Sequence, residues 1–153
     1  MSITSVEELS TVFIDSFLEV ISTCTGIRFD VKSSEYDTGF SDITSAINLN
    51  GSKNGMLFIS AEENTAKSLC SYMTGVSKSD VTDEDCFDAM SEFANMTAGN
   101  AKLRLGNSDY TFTLSSPFVI NGKEMTLTTK KKVRVVSTTF ASDDLEIKIK
   151  LMY

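Results

Sequence analysis

The sequence predicts an α+β fold in which an antiparallel-rich β-sheet packs against helices. Apolar residues recur at helical spacing in three stretches, near residues 4–23, 60–74 and 82–105. Between and after these stretches, short apolar or alternating runs bounded by Gly, Asn or Asp predict hairpin strands. Helices and hairpins therefore occupy separate blocks, an arrangement typical of an α+β layer fold rather than of a parallel sheet.

The length and composition are those of one globular domain. The chain has 153 residues, of which 41% are apolar and 23% charged. Pro117 is the only proline and no low-complexity linker divides the chain, so we expect residues 1–153 to form a single domain. The net charge of −7 argues against nucleic acid or an anionic membrane as partner and favours a protein with a basic face. Mild acidity also simply keeps proteins soluble.

The absence of histidine excludes several chemistries. It removes the commonest general base, the Ser-His and Cys-His nucleophile pairs and most transition-metal sites. Cys24, Cys70 and Cys86 are widely spaced in apolar helical contexts, which predicts reduced core thiols rather than metal ligands. No apolar run approaches the roughly 20 residues that span a membrane, and the N-terminus lacks the basic region of a signal peptide. We therefore expect a cytoplasmic protein.

The first half of the chain is predicted to contain a helix, a strand and a hairpin. Thr4 and Glu7 form a capping-box pair that opens a helix ending at about Thr23, and Gly26 suits its C-terminal stop. Strands are predicted at residues 27–31, 43–49 and 56–59, with a polar connection over 32–40 and a turn over 51–55.

The second half begins with a helix and ends with a hairpin. Ser60 and Glu63 form a second capping-box pair, and Gly75 is the expected cap at the end of the helix that follows. After the third helix, strands are predicted at residues 110–114, 118–121, 132–140 and 145–152, the last two joined at 142–144.

The third helix, over residues 82–105, has a polar face of unusual composition. Thr82 is its predicted N-cap, acidic residues fill the first turn, and Gly106-Asn107 ends it. Four residues lie within an arc of about 60° opposite the apolar stripe: Asp88, Glu92, Asn95 and Gly99. Asn95 stands out because asparagine is a poor helix former in a helix interior.

The first helix contains a faint echo of this face. The residues that repeat its spacing, 73 positions earlier, are Asp15, Glu19, Ser22 and Gly26. A helix followed by strands occurs in each half, which suggests a weak internal two-fold repeat. The first copy has Ser22 where the second has an amide. Chance coincidence of common helix residues is the alternative.

The pattern Asp88-x3-Glu92-x2-Asn95, with Pro117 22 positions after the asparagine, resembles the signature of the CheC/CheX/FliY family of chemotaxis phosphatases. That signature is an Asp or Ser, a Glu four residues later, an Asn three after that, and a Pro about two dozen residues downstream. The run ANMTAGNAKLRL, which contains Gly99, is also similar to the family. Element order and length match, so the resemblance covers most of the chain. It is closest to CheX, which carries one active motif.

The resemblance implies a CheC/CheX-like fold and hydrolysis of the aspartyl phosphate of a CheY-type response regulator. Carried over, Asn95 would orient the attacking water, and Glu92 would pair with the regulator's active-site lysine. Asp88 would have a supporting role, and Gly99 and Pro117 structural ones. Mg²⁺ is expected in the regulator's active site, with no metal or cofactor held by this chain. A homodimer is also implied.

Other interpretations of the same residues stay open. Asp, Glu and Asn on an exposed helix face are usually only solvated. The acids at residues 83–88 are more typical of a dipole-matched helix N-terminus than of a metal site. The alternative function is a non-catalytic module of the same fold that binds a regulator or acts as a scaffold. A structural protein with no regulator partner is the third reading.

Overall fold

The computed structural model describes residues 2–36 and 38–153, and within them three α-helices pack against a seven-stranded antiparallel sheet. The helices are α1 (Val6–Thr25), α2 (Glu63–Thr74) and α3 (Asp83–Leu105). The strands are β1 (Asp30–Glu35), β2 (Ile43–Gly51), β3 (Gly55–Ala61), β4 (Phe112–Leu114), β5 (Phe118–Asn121), β6 (Val135–Ser142) and β7 (Leu145–Met152). The strand order is β1-β6-β7-β3-β2-β4, with β5 also paired to β2. The predicted α+β fold is confirmed.

Helix α1 begins one residue later than the predicted capping box. Ser5 is the N-cap, and its Oγ accepts a hydrogen bond from the Glu8 backbone N–H at 3.1 Å. The Glu8 carboxylate in turn accepts from the backbone N–H of Thr4 at 2.7 Å. The predicted pairing of Thr4 with Glu7 is therefore wrong, because two adjacent hydroxyl residues both suit a cap. Gly26 is left-handed, with φ of 71°, as its predicted role requires.

The predicted capping box of α2 is also wrong. Ser60 lies in β3, where its buried Oγ accepts a hydrogen bond from the Ser41 backbone N–H at 2.8 Å. The N-cap is Glu62, whose side chain makes no capping bond. Instead, the Asp42 carboxylate accepts from the Glu63 backbone N–H at 3.0 Å. A residue distant in sequence thus satisfies one of the free N–H groups that a helix end always exposes.

The first strand lies later than predicted. The expected strand was at residues 27–31, where apolar and charged residues alternate, whereas β1 (Asp30–Glu35) begins three residues later and extends into the predicted polar connection. All six residues of β1 are exposed, since the strand lies at the sheet edge and, among the described residues, pairs only with β6. Phe29, just before the strand, is buried in the core instead. An edge strand exposed on both faces has no apolar alternation by which to recognise it.

The core lies between the helices and one face of the sheet. Phe17 of α1 packs on Phe140 of β6, with ring centroids 4.7 Å apart. Alternate residues of the central strands, such as Ile47 and Leu57, which are register partners, face the helices and are fully buried. This layer supports α3 along its inner face. No helix in the described part of the chain is long and apolar enough to cross a membrane.

Candidate functional site

The N-terminus of α3 is held by a reciprocal capping box. Thr82 Oγ1 accepts a hydrogen bond from the Asp85 backbone N–H at 3.1 Å, as predicted for an N-cap. The Asp85 carboxylate accepts from the Thr82 backbone N–H at 3.0 Å. Among the residues that the structure describes, no group of three His, Cys, Asp or Glu side chains is arranged to hold a metal ion. Asp85 thus caps the helix end, and Asp83 and Glu84 lie in the same turn, where the helix dipole favours negative charge.

The inner face of α3 determines which residues point outward. Phe93, Ala94, Thr97, Ala98 and Ala101 are at most 1% exposed and face α1 and the sheet. The small side chains let neighbouring elements pack close to the helix backbone. Burial of this stripe leaves the opposite face of the helix in solvent. Helix geometry also predicts Phe87 on this apolar side, but Phe87 is half-buried instead of buried.

The predicted site residues form one continuous outward strip. Asp88 and Glu92 are exposed, and Asn95 and Gly99 are half-exposed on the following turns. In the described part of the chain, no salt bridge or side-chain hydrogen bond engages Asp88, Glu92 or Asn95. Two carboxylates and one amide are thus presented side by side with their hydrogen-bonding groups available to another molecule.

A groove runs beside this strip, between α2 and α3. Its volume is about 350 Å³. The residues that line it are Cys70, Met73, Thr74, Val76, Asp85, Asp88, Ala89 and Glu92. Burial, with the charges of Asp85 and Asp88, raises the pKa of the Cys70 thiol. The α2 wall of the groove combines apolar and thiol groups with a threonine, and the α3 wall is largely acidic. A partner with a basic, partly apolar surface therefore fits this groove best.

A second groove, of about 310 Å³, lies on the other side, between α1 and α3. The residues that line it are Glu19, Val20, Thr23, Met96, Gly99, Asn100 and Leu103. Leu103 is 83% exposed. Cys24 Sγ lies 3.7 Å from Met96 Sδ, and burial, aided by the Glu92 charge, raises the pKa of this thiol. Met96, Gly99 and Leu103 form an apolar ledge along the α3 side of this groove. The sequence analysis missed this ledge, although a leucine one turn after Gly99 on a polar helix face was a visible signal.

The echo in α1 lies next to α3 and has different partners. The contacts of Cys24 with Met96 and of Glu19 with Arg104 make the two helices antiparallel neighbours. Glu19 is engaged in an ion pair with Arg104, whose Nε also donates to Asn100 Oδ1 at 2.8 Å. Ser22 is exposed. The first copy thus has neither an amide nor an unengaged glutamate.

Pro117 lies on the sheet, between two strands that share one partner. β4 pairs with β2 from Leu49 to Gly51, while β5 pairs with it from Ile43 to Ala46. Ser115 bridges the gap, since its Oγ accepts from the Asn48 backbone N–H at 3.0 Å. Proline has no N–H to give to a ladder, so it suits this interruption at a sheet edge. Its structural role stays a prediction.

Comparisons with known proteins show the family and the fold of this chain. The family model of the chemotaxis phosphatase CheX matches residues 43–141. The structure is similar to CheX of Vibrio vulnificus, with a TM-score of 0.83 and 23% identity over 94% of this chain and 97% of that one. It is also similar to a putative chemotaxis protein of Desulfovibrio vulgaris Hildenborough, with a TM-score of 0.81 and 26% identity over 95% and 97%.

A third similar structure is a CheX–CheY–BeF3–Mg²⁺ complex from Borrelia burgdorferi, with a TM-score of 0.80 and 19% identity over 94% of this chain and 96% of that one. The comparison with curated proteins found no match. The family match spans well over half of the chain and the fold agrees with it, which confirms the resemblance noted in the sequence. The chain therefore belongs to the CheX family of chemotaxis phosphatases.

Proposed function

We propose that this protein hydrolyses the aspartyl phosphate of a CheY-type response regulator. The observation that carries the proposal is the pair Glu92 and Asn95, adjacent on the outer face of α3 and without an internal partner in the described residues. Membership of a phosphatase family supports it. So does the Borrelia burgdorferi complex, in which a protein of the same fold is bound to CheY with BeF3 and Mg²⁺.

Asn95 is proposed to position the attacking water. An amide accepts one hydrogen bond and donates others, so it can hold a water in line with phosphorus without adding charge. The water oxygen forms a bond to phosphorus while the bond from phosphorus to the regulator's aspartate oxygen breaks. The products are a free carboxylate and inorganic phosphate, and the water proton passes to phosphate or solvent. Because an acyl phosphate is already reactive, positioning is the main contribution needed.

Glu92 is proposed to hold the regulator in register. Its exposed carboxylate, one turn before Asn95, would pair with the ammonium of the regulator's active-site lysine. Asp88, a further turn away, extends the acidic surface and has a supporting role. Mg²⁺ belongs to the regulator's active site in this scheme, so the chain needs no cofactor of its own.

The test measures phosphate release from a phosphorylated CheY-type regulator. Asn95→Ala and Glu92→Ala are each expected to lower the rate about 100-fold or more, since small losses of positioning have effects of that size. Asn64→Ala is the matched control, because Asn64 is also an exposed helical asparagine but lies in the first turn of α2. If both site variants work as fast as the parent, the assignment of the site is wrong.

The same experiment separates catalysis from binding alone. A non-catalytic module would retain the phosphorylated regulator in a pull-down and leave the lifetime of its phosphate unchanged. A protein with no regulator partner would retain none.

We also propose that the chain forms a homodimer. β1 (Asp30–Glu35) is an exposed edge strand that, within the described part of the chain, is paired on one side only, which leaves it open to pairing with a second copy. Gel filtration with light scattering tests this, and a monomer at micromolar concentration would contradict it.

A further inference from the structure

Gly99 is out of place for a helix of this kind. It lies in the interior of α3, where glycine is less favourable than every residue except proline. Apart from its two chain neighbours and the adjacent backbone of its own helix, a Cβ built on Gly99 would meet no atom of the described residues within 4 Å. The glycines of this chain with positive φ are Gly26, Gly75 and Gly106, which end helices. Neither packing within the described residues nor backbone conformation therefore requires glycine here.

The surroundings of Gly99 indicate what the missing side chain leaves room for. On the helix it lies one turn after Asn95 and one turn before Leu103, near the centre of the exposed arc. It lines the groove between α1 and α3 together with the apolar side chains of Met96, Leu103 and Val20. At this point the backbone of α3 itself is the protein surface, and it continues directly from the proposed catalytic amide.

We propose that Gly99 is the point of closest approach between α3 and the phosphorylated regulator, and that its missing Cβ sets how far Asn95 reaches into the regulator's active site. This inference rests on the proposed function. Because Met96 and Leu103 make the ledge beside Gly99 apolar, the occupant that fits it is an apolar patch of the regulator next to its phosphorylation site. The two surfaces must meet there, because a side chain can enter a partner's cleft only if the helix next to it contacts the rim.

The length of one bond makes the effect large. A Cβ extends about 1.5 Å from the backbone, so it would hold the two surfaces apart by a distance of that order. A displacement of about 1 Å of a positioning group can cost roughly 100-fold in rate. Gly99 is thus a positioning residue, which acts through Asn95 and not on phosphorus.

The test compares Gly99→Ala and Gly99→Leu with the parent, using phosphorylated regulator as substrate. We expect the melting temperature to be unchanged or higher with alanine, because alanine favours helix. We expect kcat to fall about 10-fold to 100-fold with alanine and further with leucine. Affinity for the BeF3-loaded regulator should fall in the same order. Asn64→Ala and Asn64→Leu add or remove bulk at an exposed position of α2 and should leave kcat unchanged.

The outcomes separate this inference from the proposed function. A parent that releases no phosphate refutes the proposed function. If the parent is active and Asn95→Ala inactive, but both Gly99 variants keep the parental kcat, only the role of Gly99 is refuted. An equal loss with alanine and leucine would mean that helix flexibility matters and clearance does not, which also overturns the inference. Leu103→Ala should raise KM with little change in kcat, and an unchanged KM would remove the ledge from the interface.

Discussion

Removal of the capping box of α3 is expected to destabilise the protein without slowing catalysis. In Thr82→Ala the Asp85 backbone N–H loses its acceptor, the Oγ1 at 3.1 Å. The helix end is exposed, so water replaces the lost partner and the cost is that of a cap, about 1 kcal/mol. For a chain of 153 residues this corresponds to a fall in melting temperature of roughly 2–4 °C.

Catalysis should be unaffected because the cap is far from Asn95. Asn95 follows Thr82 by 13 residues, roughly 20 Å along the helix axis. The position of Asn95 depends instead on the buried residues beside it, Phe93, Ala94 and Ala98. Those contacts are intact in the variant, so phosphate release measured well below the melting temperature should match the parent.

A double-mutant cycle measures how strongly Thr82 and Asp85 of the capping box stabilise the fold together, beyond their separate contributions. Urea unfolding of Thr82→Ala, Asp85→Ala and the double variant should give a coupling energy of about 0.5–1 kcal/mol, because either change alone breaks the reciprocal pair. Asp83→Ala is the control, since it removes an acid of the same turn that is not part of the box. Additive losses would show that the box contributes nothing as a unit. A slower Thr82→Ala enzyme at low temperature would refute the claim that packing positions Asn95.

Three further predictions follow from single residues. Thr97→Val should raise the unfolding free energy by about 1 kcal/mol in urea melts, because Thr97 Oγ1 is buried with no partner in the described residues. Burial raises the pKa of the Cys86 thiol from 9.0 to about 11. As the pH rises, the unfolded chain therefore loses this proton before the folded chain does. The contribution of Cys86 to the unfolding free energy is complete below about pH 9 and is lost between about pH 9 and 11. The unfolding free energy of Cys86→Ala should fall less steeply over that range. Ser22→Asn gives α1 the amide that its copy of the pattern lacks. In an Asn95→Ala background it should restore no phosphate release, because Glu19, the counterpart of Glu92, is already engaged in an ion pair.

The features predicted correctly from the sequence depend on residues close to one another in the chain. The start of α3 at Thr82 and its end before Gly106 follow from a cap, an apolar stripe and a helix breaker within one segment. The strip of site residues follows from helix angle alone, so it needed no knowledge of what α3 packs against. The strand at residues 145–152 was equally local, since alternation and a preceding acidic turn define it.

The features that were missed depend on residues far apart in the chain. Asp42 caps α2 across 21 positions, and no pattern near Glu63 indicates it. Lys150 in β7 is fully buried, and its Nζ donates to Ser137 Oγ at 3.1 Å and lies 5.6 Å from the centre of the Phe40 ring. A lysine in a strand normally predicts a solvent-facing side. Lys150 is buried because other parts of the chain, such as Phe40, cover its side of the sheet, and that contact cannot be read from the strand itself.

The contrast between Glu19 and Glu92 gives a physical reason why, of the two copies of the pattern in α1 and α3, only the α3 copy is proposed as a site. Both glutamates project from neighbouring antiparallel helices at equivalent places in the echoed pattern. An arginine of the same chain neutralises Glu19, whereas no cation in the described residues pairs with Glu92. A carboxylate kept without an internal partner retains its full capacity to bind an ammonium from another protein. Under the proposed function, the charge missing beside Glu92 is the regulator's lysine, and the histidine missing from the sequence is not needed, because the substrate is already an activated acyl phosphate.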